Sequence, residues 1–196
     1  MVLRLVGSEM CIRDRAFAEY FLYFLGVVAA IYFAYLLLLA GLSSQEKKNV
    51  FLLMILFVAA MFFWSGFDQS GGSLSIFARD YTDLSVVGYV IPVGWLQFAN
   101  PLFVVIFAPI FAGIWTNLAR VNLNPSYPLK FAIGMFFMAI SFLVMIAAVE
   151  LALVSAPVGM QWLIITYLLH TWGELALSPV GLAAFSEYSP KKYQGQ

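Results

Sequence analysis

The sequence predicts an all-α protein that crosses a membrane several times, because of its composition and its long, non-alternating apolar runs. Hydrophobic residues make up 63% of the 196 residues and charged residues 10%, against roughly 25% charged in an ordinary soluble domain. Several apolar runs exceed about 18 residues, enough at roughly 1.5 Å per residue to cross a hydrocarbon core of about 30 Å. Because the runs do not alternate, helices are favoured over barrel strands.

These runs predict five spans, at residues 17–42, 50–78, 90–117, 129–149 and 160–186. Connections rich in Lys and Arg alternate with connections that hold mostly acids. Since cytoplasmic loops carry an excess of basic residues, the basic connections are predicted to be cytoplasmic and the first span to begin outside. The basic residues are Lys47, Lys48, Arg120, Lys130, Lys191 and Lys192, and those of the opposite side are Arg79, Asp80, Asp83 and Glu150.

The first fifteen residues, MVLRLVGSEMCIRDR, carry three arginines that conflict with an outside start of the first span. They are too charged for a signal peptide and resemble translated sequencing-adaptor sequence, so residues 1–15 are interpreted as non-native. Cys11, the only cysteine, lies in this segment. We therefore expect no disulfide, metal site or catalytic thiol. The sequence also lacks metalloprotease, hydrolase and nucleotide-binding motifs, and neither an enzyme nor a nucleic-acid partner is expected.

The second span is polar in its outer half, which reads FWSGFDQSGGSLSIFA from Phe63 to Ala78. On a helical wheel this half places five residues on one face at spacings of three or four, with Gln69 beside it: Ser65, Asp68, Gly72, Ser75 and Arg79. A carboxylate near mid-membrane costs about 2.5 to 3.5 kcal/mol on insertion scales and normally faces a bundle interior or a wet cavity. Asp68 is therefore a candidate proton carrier. The alternative is a structural salt bridge or an interhelical hydrogen bond.

The third span contains LQFANPLFVVIFAPIFAGIW, residues 96–115. Pro101 and Pro109 lack the amide that bonds four residues back, and each is predicted to kink the helix. Gln97 and Asn100 lie three residues apart and therefore on the same face near the first kink. Two amide side chains there suit hydrogen bonding to a polar solute, and interhelical hydrogen bonding is an equally good interpretation.

The fifth span holds the densest polar cluster, HTWGELALSPVGL, residues 170–182. Thr166, His170, Glu174 and Ser178 follow one face at spacings of four. Glu174 can bind an ammonium group by a charge-assisted hydrogen bond, or it can titrate, and the two are linked because an approaching cation lowers a carboxyl pKa. His170 can also titrate, although a membrane histidine is more often a hydrogen-bonding packing residue.

These three motifs resemble helices seven, eight and ten of the proton-dependent oligopeptide transporters of the major facilitator superfamily. FWSGFDQSGGSLSIFA is similar to helix seven, QFANPLFVVIFAPIFAGIW to helix eight and TWGELALSPVGL to helix ten, in the same order. The resemblance implies three segments. Residues 1–15 are non-native, residues 16–48 form an extra linker helix and a cytoplasmic loop, and residues 49–196 form part of the C-terminal half of a major facilitator fold.

The resemblance also implies a function and a set of site residues. The expected activity is symport of di- and tripeptides with protons by alternating access, without a cofactor, in a bacterial inner membrane. Glu174 is expected to contact the peptide amino terminus and Asn100 the peptide backbone, with Gln97, Trp172 and Ser178 as further substrate-binding residues. Asp68 matches a position that is usually glutamate in the family and takes part in proton coupling; its shorter side chain puts the family's salt-bridge geometry in doubt.

Three alternatives and one limit accompany this interpretation. Another facilitator transporting a different small solute, such as nitrate or an amino acid, has the same architecture. A membrane-embedded enzyme is disfavoured because the chain has only one histidine, and a membrane scaffold remains as a non-transport alternative. The sequence is expected to be a fragment that lacks the N-terminal bundle and helices eleven and twelve, and therefore not to transport by itself.

Overall fold

A computed structural model describes the backbone of residues 2–193 and the side chains of residues 17–193. The all-α prediction is confirmed. The side chains of residues 1–15, including Cys11, lie outside the described part. The helices are α1 (Val2–Leu38), α2 (Ser44–Phe67), α3 (Ser73–Tyr81), α4 (Val93–Leu96), α5 (Ala99–Arg120), α6 (Tyr127–Ser155) and α7 (Gln161–Tyr188), with 3-10 turns at Asp68–Ser70 and Lys191–Tyr193.

Within the described part of the chain, four helical segments are long and apolar enough to cross a membrane, namely Phe17–Leu38, Ser44–Tyr81, Val93–Arg120 and Tyr127–Ser155. The fifth predicted span is α7, 28 residues long, which is not in this set because its polar side chains lower its mean hydropathy. Thr166, His170 and Thr171 on this helix are fully buried. Thus α7 is polar where it faces other helices and need not be as apolar as a lipid-facing span.

The chain forms two compact units, residues 55–187 and residues 1–54 with 188–196. In the second of these, the α1 side chains from residue 17 onward are mostly exposed apolar groups, with Leu36 buried. Tyr35 and Tyr193 approach through their hydroxyl oxygens at 3.4 Å. An isolated helix with an apolar surface all round suits contact with lipid.

Within residues 55–187, α6 and α7 approach closely at a pair of glycines. A Cβ added to Gly173 would lie 2.8 Å from Cε2 of Phe63 and 2.9 Å from the carbonyl oxygen of Gly134. Small residues allow helix backbones to approach in membranes, where packing and not the hydrophobic effect drives association. Phe63 from α2 fills the third side of this contact and is fully buried.

The prediction of one continuous helix through residues 50–78 is wrong. Helix α2 ends at Phe67, a 3-10 turn covers Asp68–Ser70, and α3 starts at Ser73 after the adjacent glycines Gly71 and Gly72. Glycine disfavours helix by about 1 kcal/mol per residue relative to alanine. The hydroxyl of Ser75 donates to the carbonyl oxygen of Ser70 at 2.8 Å and so replaces a lost helical bond. The predicted common face therefore does not persist across the interruption.

The prediction of a kink at Pro101 is also wrong. The segment before it is a short helix, α4, and α5 begins only at Ala99, so Pro101 is its third residue. Amides in the first turn of a helix have no intrahelical acceptor, and proline there breaks no bond. Pro109 is the proline inside α5.

The predicted outer connections contain four two-residue strands that the sequence did not indicate. They are β1 (Thr82–Asp83), β2 (Ser85–Val86), β3 (Tyr89–Val90) and β4 (Val158–Gly159). Strands β2 and β3 are antiparallel, and β1 pairs with β4 in parallel. The latter pairing ties the end of α3 to the connection between α6 and α7, beside the apolar core that holds Leu84, Leu163 and Tyr167.

Candidate functional site

The site centres on a hydrogen bond between α5 and α7. Asn100, in the first turn of α5, donates from Nδ2 to Oε2 of Glu174 at 3.1 Å and to the hydroxyl oxygen of Thr171 at 3.0 Å. Thr171 in turn donates to the carbonyl oxygen of Tyr167 at 2.8 Å. Asn100 and Glu174 are half-buried, and this hydrogen bond brings the two predicted site residues together.

The acceptors around Asn100 determine which way its amide points. An ionised carboxylate can only accept hydrogen bonds, and the Thr171 hydroxyl has used its proton on Tyr167. The NH2 group must therefore face α7. Both of its protons are used there, and its carbonyl oxygen has no hydrogen-bond partner among the described residues. This leaves an acceptor for an incoming N–H group.

A cavity of about 180 Å³ lies beside this pair. Gln97 contributes to its wall and donates from Nε2 to the hydroxyl oxygen of Ser75 at 3.1 Å, which connects the start of α5 to the interrupted second span. The predicted site residues Gln97 and Asn100 are thus both at the cavity. The full lining is Phe67, Ser70, Gln97, Asn100, Tyr167 and His170.

His170 is fully buried in this wall. Its ring lies 5.8 Å from that of Phe67 and 5.9 Å from that of Phe142, between centroids. Neither ring nitrogen has a hydrogen-bond partner within the part of the chain that the structure describes. The expected hydrogen-bonding role of a packing histidine is therefore not observed.

The remaining predicted site residues lie away from the cavity wall. Asp68 is exposed, and its carboxylate makes no hydrogen bond or ion pair to residues 17–193. No hydrogen bond joins Asp68 to Glu174 among the described residues, and Glu174 reaches the cavity only through its bond with Asn100. Trp172 packs between the rings of Phe107 and Phe137, each at 5.5 Å, so it joins α5, α6 and α7. Ser178 lies one turn beyond Glu174 and is half-buried.

Four residues of the site were not singled out from the sequence: Phe67, Ser70, Tyr167 and Thr171. Tyr167, Thr171 and Glu174 follow an i, i+4, i+7 spacing, which also places them on one helical face. That face is rotated from the predicted one through Thr166 and His170, and its tyrosine and threonine are weaker polarity signals than a histidine. Phe67 could not be found, because its position depends on where α2 ends.

Outside the spans, the loop after α3 holds an exposed acid in a local hydrogen-bonded turn. The hydroxyl of Ser85 donates to Oδ1 of Asp83 at 2.6 Å and its backbone amide donates to the same oxygen at 2.9 Å. Because these bonds favour the charged form, they hold the pKa of the Asp83 carboxyl below its ordinary value. The loop therefore keeps its negative charge in water.

Comparison with known proteins identifies the family. The sequence model of the PTR2 family, described as the POT family, matches residues 15–196. The chain belongs to the POT family. The matched residues include α2 through α7, which carry every predicted site residue.

Members of the POT family with known names or structures are similar over most of this chain. The peptide transporter YePEPT of Yersinia enterocolitica subsp. palearctica is 39% identical over 181 residues, 91% of this chain and 35% of that protein. A crystal structure of a peptide transporter POT in complex with sulfate aligns with TM-score 0.80 and 35% identity over 88% of this chain and 35% of that one. A crystal structure of a POT family transporter in complex with 5-aminolevulinic acid aligns with TM-score 0.77 and 30% identity, over 87% of this chain and 35% of that one.

The chain therefore spans about a third of the length of these POT family relatives. Together with its four apolar helices of membrane-spanning length, the match shows a multi-pass membrane protein with the helical bundle of peptide transporters.

Proposed function

We propose that the whole protein is a proton-coupled symporter that imports di- and tripeptides by alternating access. The observation that supports this most is the hydrogen bond from Asn100 to Glu174 beside a cavity between facing helices. Residues 16–48 are proposed as the linker helix and its loop, residues 49–196 as part of the C-terminal bundle, and residues 1–15 as non-native. The N-terminal bundle then completes the site from the opposite side.

Glu174 is proposed to bind the ammonium group of the peptide. Its Oε2 already accepts from Asn100, and Oε1 has no partner among the described residues, so one oxygen is available to a new donor. Ammonium–carboxylate hydrogen bonds are charge-assisted and roughly twice as strong as neutral ones. Asn100 would then accept a peptide N–H at its free carbonyl oxygen, while Gln97, Trp172 and Ser178 shape the pocket.

Proton coupling is proposed to involve the acid at the helix interruption. Asp68 begins the 3-10 turn, two residues before Ser70 of the cavity wall. Its carboxylate is exposed and makes no hydrogen bond or ion pair to residues 17–193. A proton gained there changes the charge at the point where the second span is interrupted. Such a change of charge can shift the equilibrium between the outward-open and inward-open arrangements of the two bundles.

The proposed topology places the basic connections in the cytoplasm of a bacterial cell, with the protein in the inner membrane. Single cysteines at Lys48 and Val87, in a background without other cysteines, test this. Val87 is 94% exposed in the hairpin between β2 and β3. A membrane-impermeant maleimide should label Val87→Cys in intact spheroplasts and Lys48→Cys only in inverted vesicles. The reverse pattern would contradict the topology.

The test of the function uses the full-length protein in proteoliposomes with an inward proton gradient. Glu174→Gln removes the charge but keeps the shape and a hydrogen-bonding group. Proton-driven uptake of Ala-Ala should fall by about a hundredfold, because a charged hydrogen bond in a partly buried site contributes roughly 1.5 to 3 kcal/mol. Glu150→Gln, an exposed acid near the end of α6, is the matched control and should transport normally. Equal uptake by both variants would refute the assignment.

The alternative of a different small solute is favoured by one observation. A POT family relative was crystallised with 5-aminolevulinic acid, which carries an ammonium and a carboxylate group as a peptide does. The two functions are separated by competition, since a peptide transporter should take up labelled Ala-Ala without inhibition by low 5-aminolevulinic acid concentrations. Uptake of 5-aminolevulinic acid and not of Ala-Ala would favour the alternative.

A further inference from the structure

His170 leaves two polar atoms unsatisfied in the interior of the protein. Both ring nitrogens are inaccessible to solvent and have no hydrogen-bond partner in residues 17–193. Leaving a buried donor or acceptor unpaired costs the full desolvation penalty of that group. An apolar residue in the same place avoids this penalty, so packing between Phe67 and Phe142 does not by itself account for a histidine.

The cavity next to His170 has neutral hydrogen-bonding walls. Ser70, Gln97 and Asn100 supply hydroxyl and amide groups, and Phe67 and Tyr167 supply aromatic surface. Among the described residues, no Asp, Glu, Lys or Arg lines this cavity. A neutral amide would find both donors and acceptors on these walls, and the carboxylate of Glu174, which accepts from Asn100, is not part of them.

The ring that covers His170 belongs to a residue at the end of a helix. Phe67 is the last residue of α2, and the next five residues are a 3-10 turn and two glycines. Its ring contacts His170 at 5.8 Å between centroids. Because the backbone beyond Phe67 is not held by regular helical hydrogen bonds, a small change there can move this ring off the imidazole.

We infer that His170 is a specificity residue that hydrogen-bonds a neutral carboxamide side chain of the substrate, once Phe67 moves off its ring. A neutral imidazole has one donor and one acceptor nitrogen, which matches the acceptor and donor of an amide. This inference rests on the proposed peptide transport. It adds a pocket for a substrate side chain to a site in which Glu174 and Asn100 are proposed to bind the main chain of the peptide.

The test compares peptides whose side chains have nearly the same shape and differ in polarity. Affinities of Asn-Ala against Leu-Ala and of Ala-Asn against Ala-Leu are measured by competition with labelled Ala-Ala on the full-length protein. In one of the two positions the wild type should bind the Asn peptide about tenfold more tightly than the Leu peptide. Sites built to hydrogen-bond a polar group discriminate strongly against analogues that lack it.

Two variants of His170 connect this preference to the imidazole. His170→Phe keeps an aromatic ring between Phe67 and Phe142 and should lose the tenfold Asn preference. His170→Gln retains a donor and an acceptor and should keep part of the preference. An unchanged Asn-to-Leu ratio in His170→Phe, or no preference in the wild type, would overturn the inference.

A chemical readout tests whether the Phe67 ring covers His170. Diethyl pyrocarbonate modification of His170, followed by mass spectrometry, should be slow in the wild type and at least tenfold faster in Phe67→Ala. The preferred Asn peptide should slow the modification of His170 in Phe67→Ala. Equal rates with and without the Phe67 ring would contradict the covering role. If Ala-Ala is not taken up at all, the proposed function fails instead, which is a separate result.

Discussion

Asp68 shows how much a single residue's role depends on its exact backbone setting. The sequence placed it on a polar helical face, whereas it begins a 3-10 turn and is exposed. Asn100 and Glu174 are different, because each lies within a regular helix and the two are joined directly at 3.1 Å. Spacing therefore found Gln97 and Asn100 at the cavity, but it did not fix the backbone setting of Asp68 or the α7 face that Thr171 and Glu174 share.

A charge-neutralising substitution tests the proposed role of Asp68 in proton coupling. Asp68→Asn should abolish uptake driven by a proton gradient, since the side chain no longer titrates, but should leave counterflow exchange of Ala-Ala near the wild-type rate. Asp83→Asn, in the loop after α3, is the control and should be coupled normally. Proton-driven accumulation by Asp68→Asn at the wild-type level would remove this residue from the mechanism.

At the scale of elements, the contact between α6 and α7 depends on glycines. Gly173→Ala places a Cβ within 3 Å of a Gly134 backbone oxygen and of the Phe63 ring. The backbone cannot yield as a flexible side chain does, so overpacking should destabilise the protein by about 1 to 3 kcal/mol. The measurement is thermal unfolding of the full-length protein in detergent.

Gly113→Ala in α5 is the matched control, since a Cβ there has nothing within 4 Å. It should unfold at the wild-type temperature or slightly above, because alanine favours helix over glycine by about 1 kcal/mol. If Gly173→Ala is as stable as Gly113→Ala, the two helices do not pack as closely as the structure has them.

The same scale explains which elements were predictable. Long apolar runs determined α1, α6 and most of α2 and α5, because only a helix satisfies the backbone of such a run in lipid. The breaks at Asp68–Gly72 and before Ala99 depend on side-chain hydrogen bonds such as Gln97 to Ser75, which join residues 22 positions apart. The local sequence pattern carries no information about such distant partners. A proline, or a pair of glycines, indicates that a helix is interrupted but not at which residue.

For the whole molecule, polarity and burial are distributed as the proposed transport requires. Helix α7 carries fully buried polar side chains. Helix α1, from residue 17 onward, exposes mostly apolar side chains. Polar groups thus face the interior of the bundle, where a solute can meet them. The composition predicted this arrangement in outline, and the POT family match established the fold.

The central claim is that Glu174 recognises the amino terminus of a peptide. It is tested most directly by comparing the affinities of Ala-Ala and N-acetyl-Ala-Ala, which lacks the ammonium charge, for full-length wild type and Glu174→Gln. We predict that the wild type prefers the free peptide by about a hundredfold and that Glu174→Gln loses most of this preference. A preference of the same size in Glu174→Gln would contradict the account.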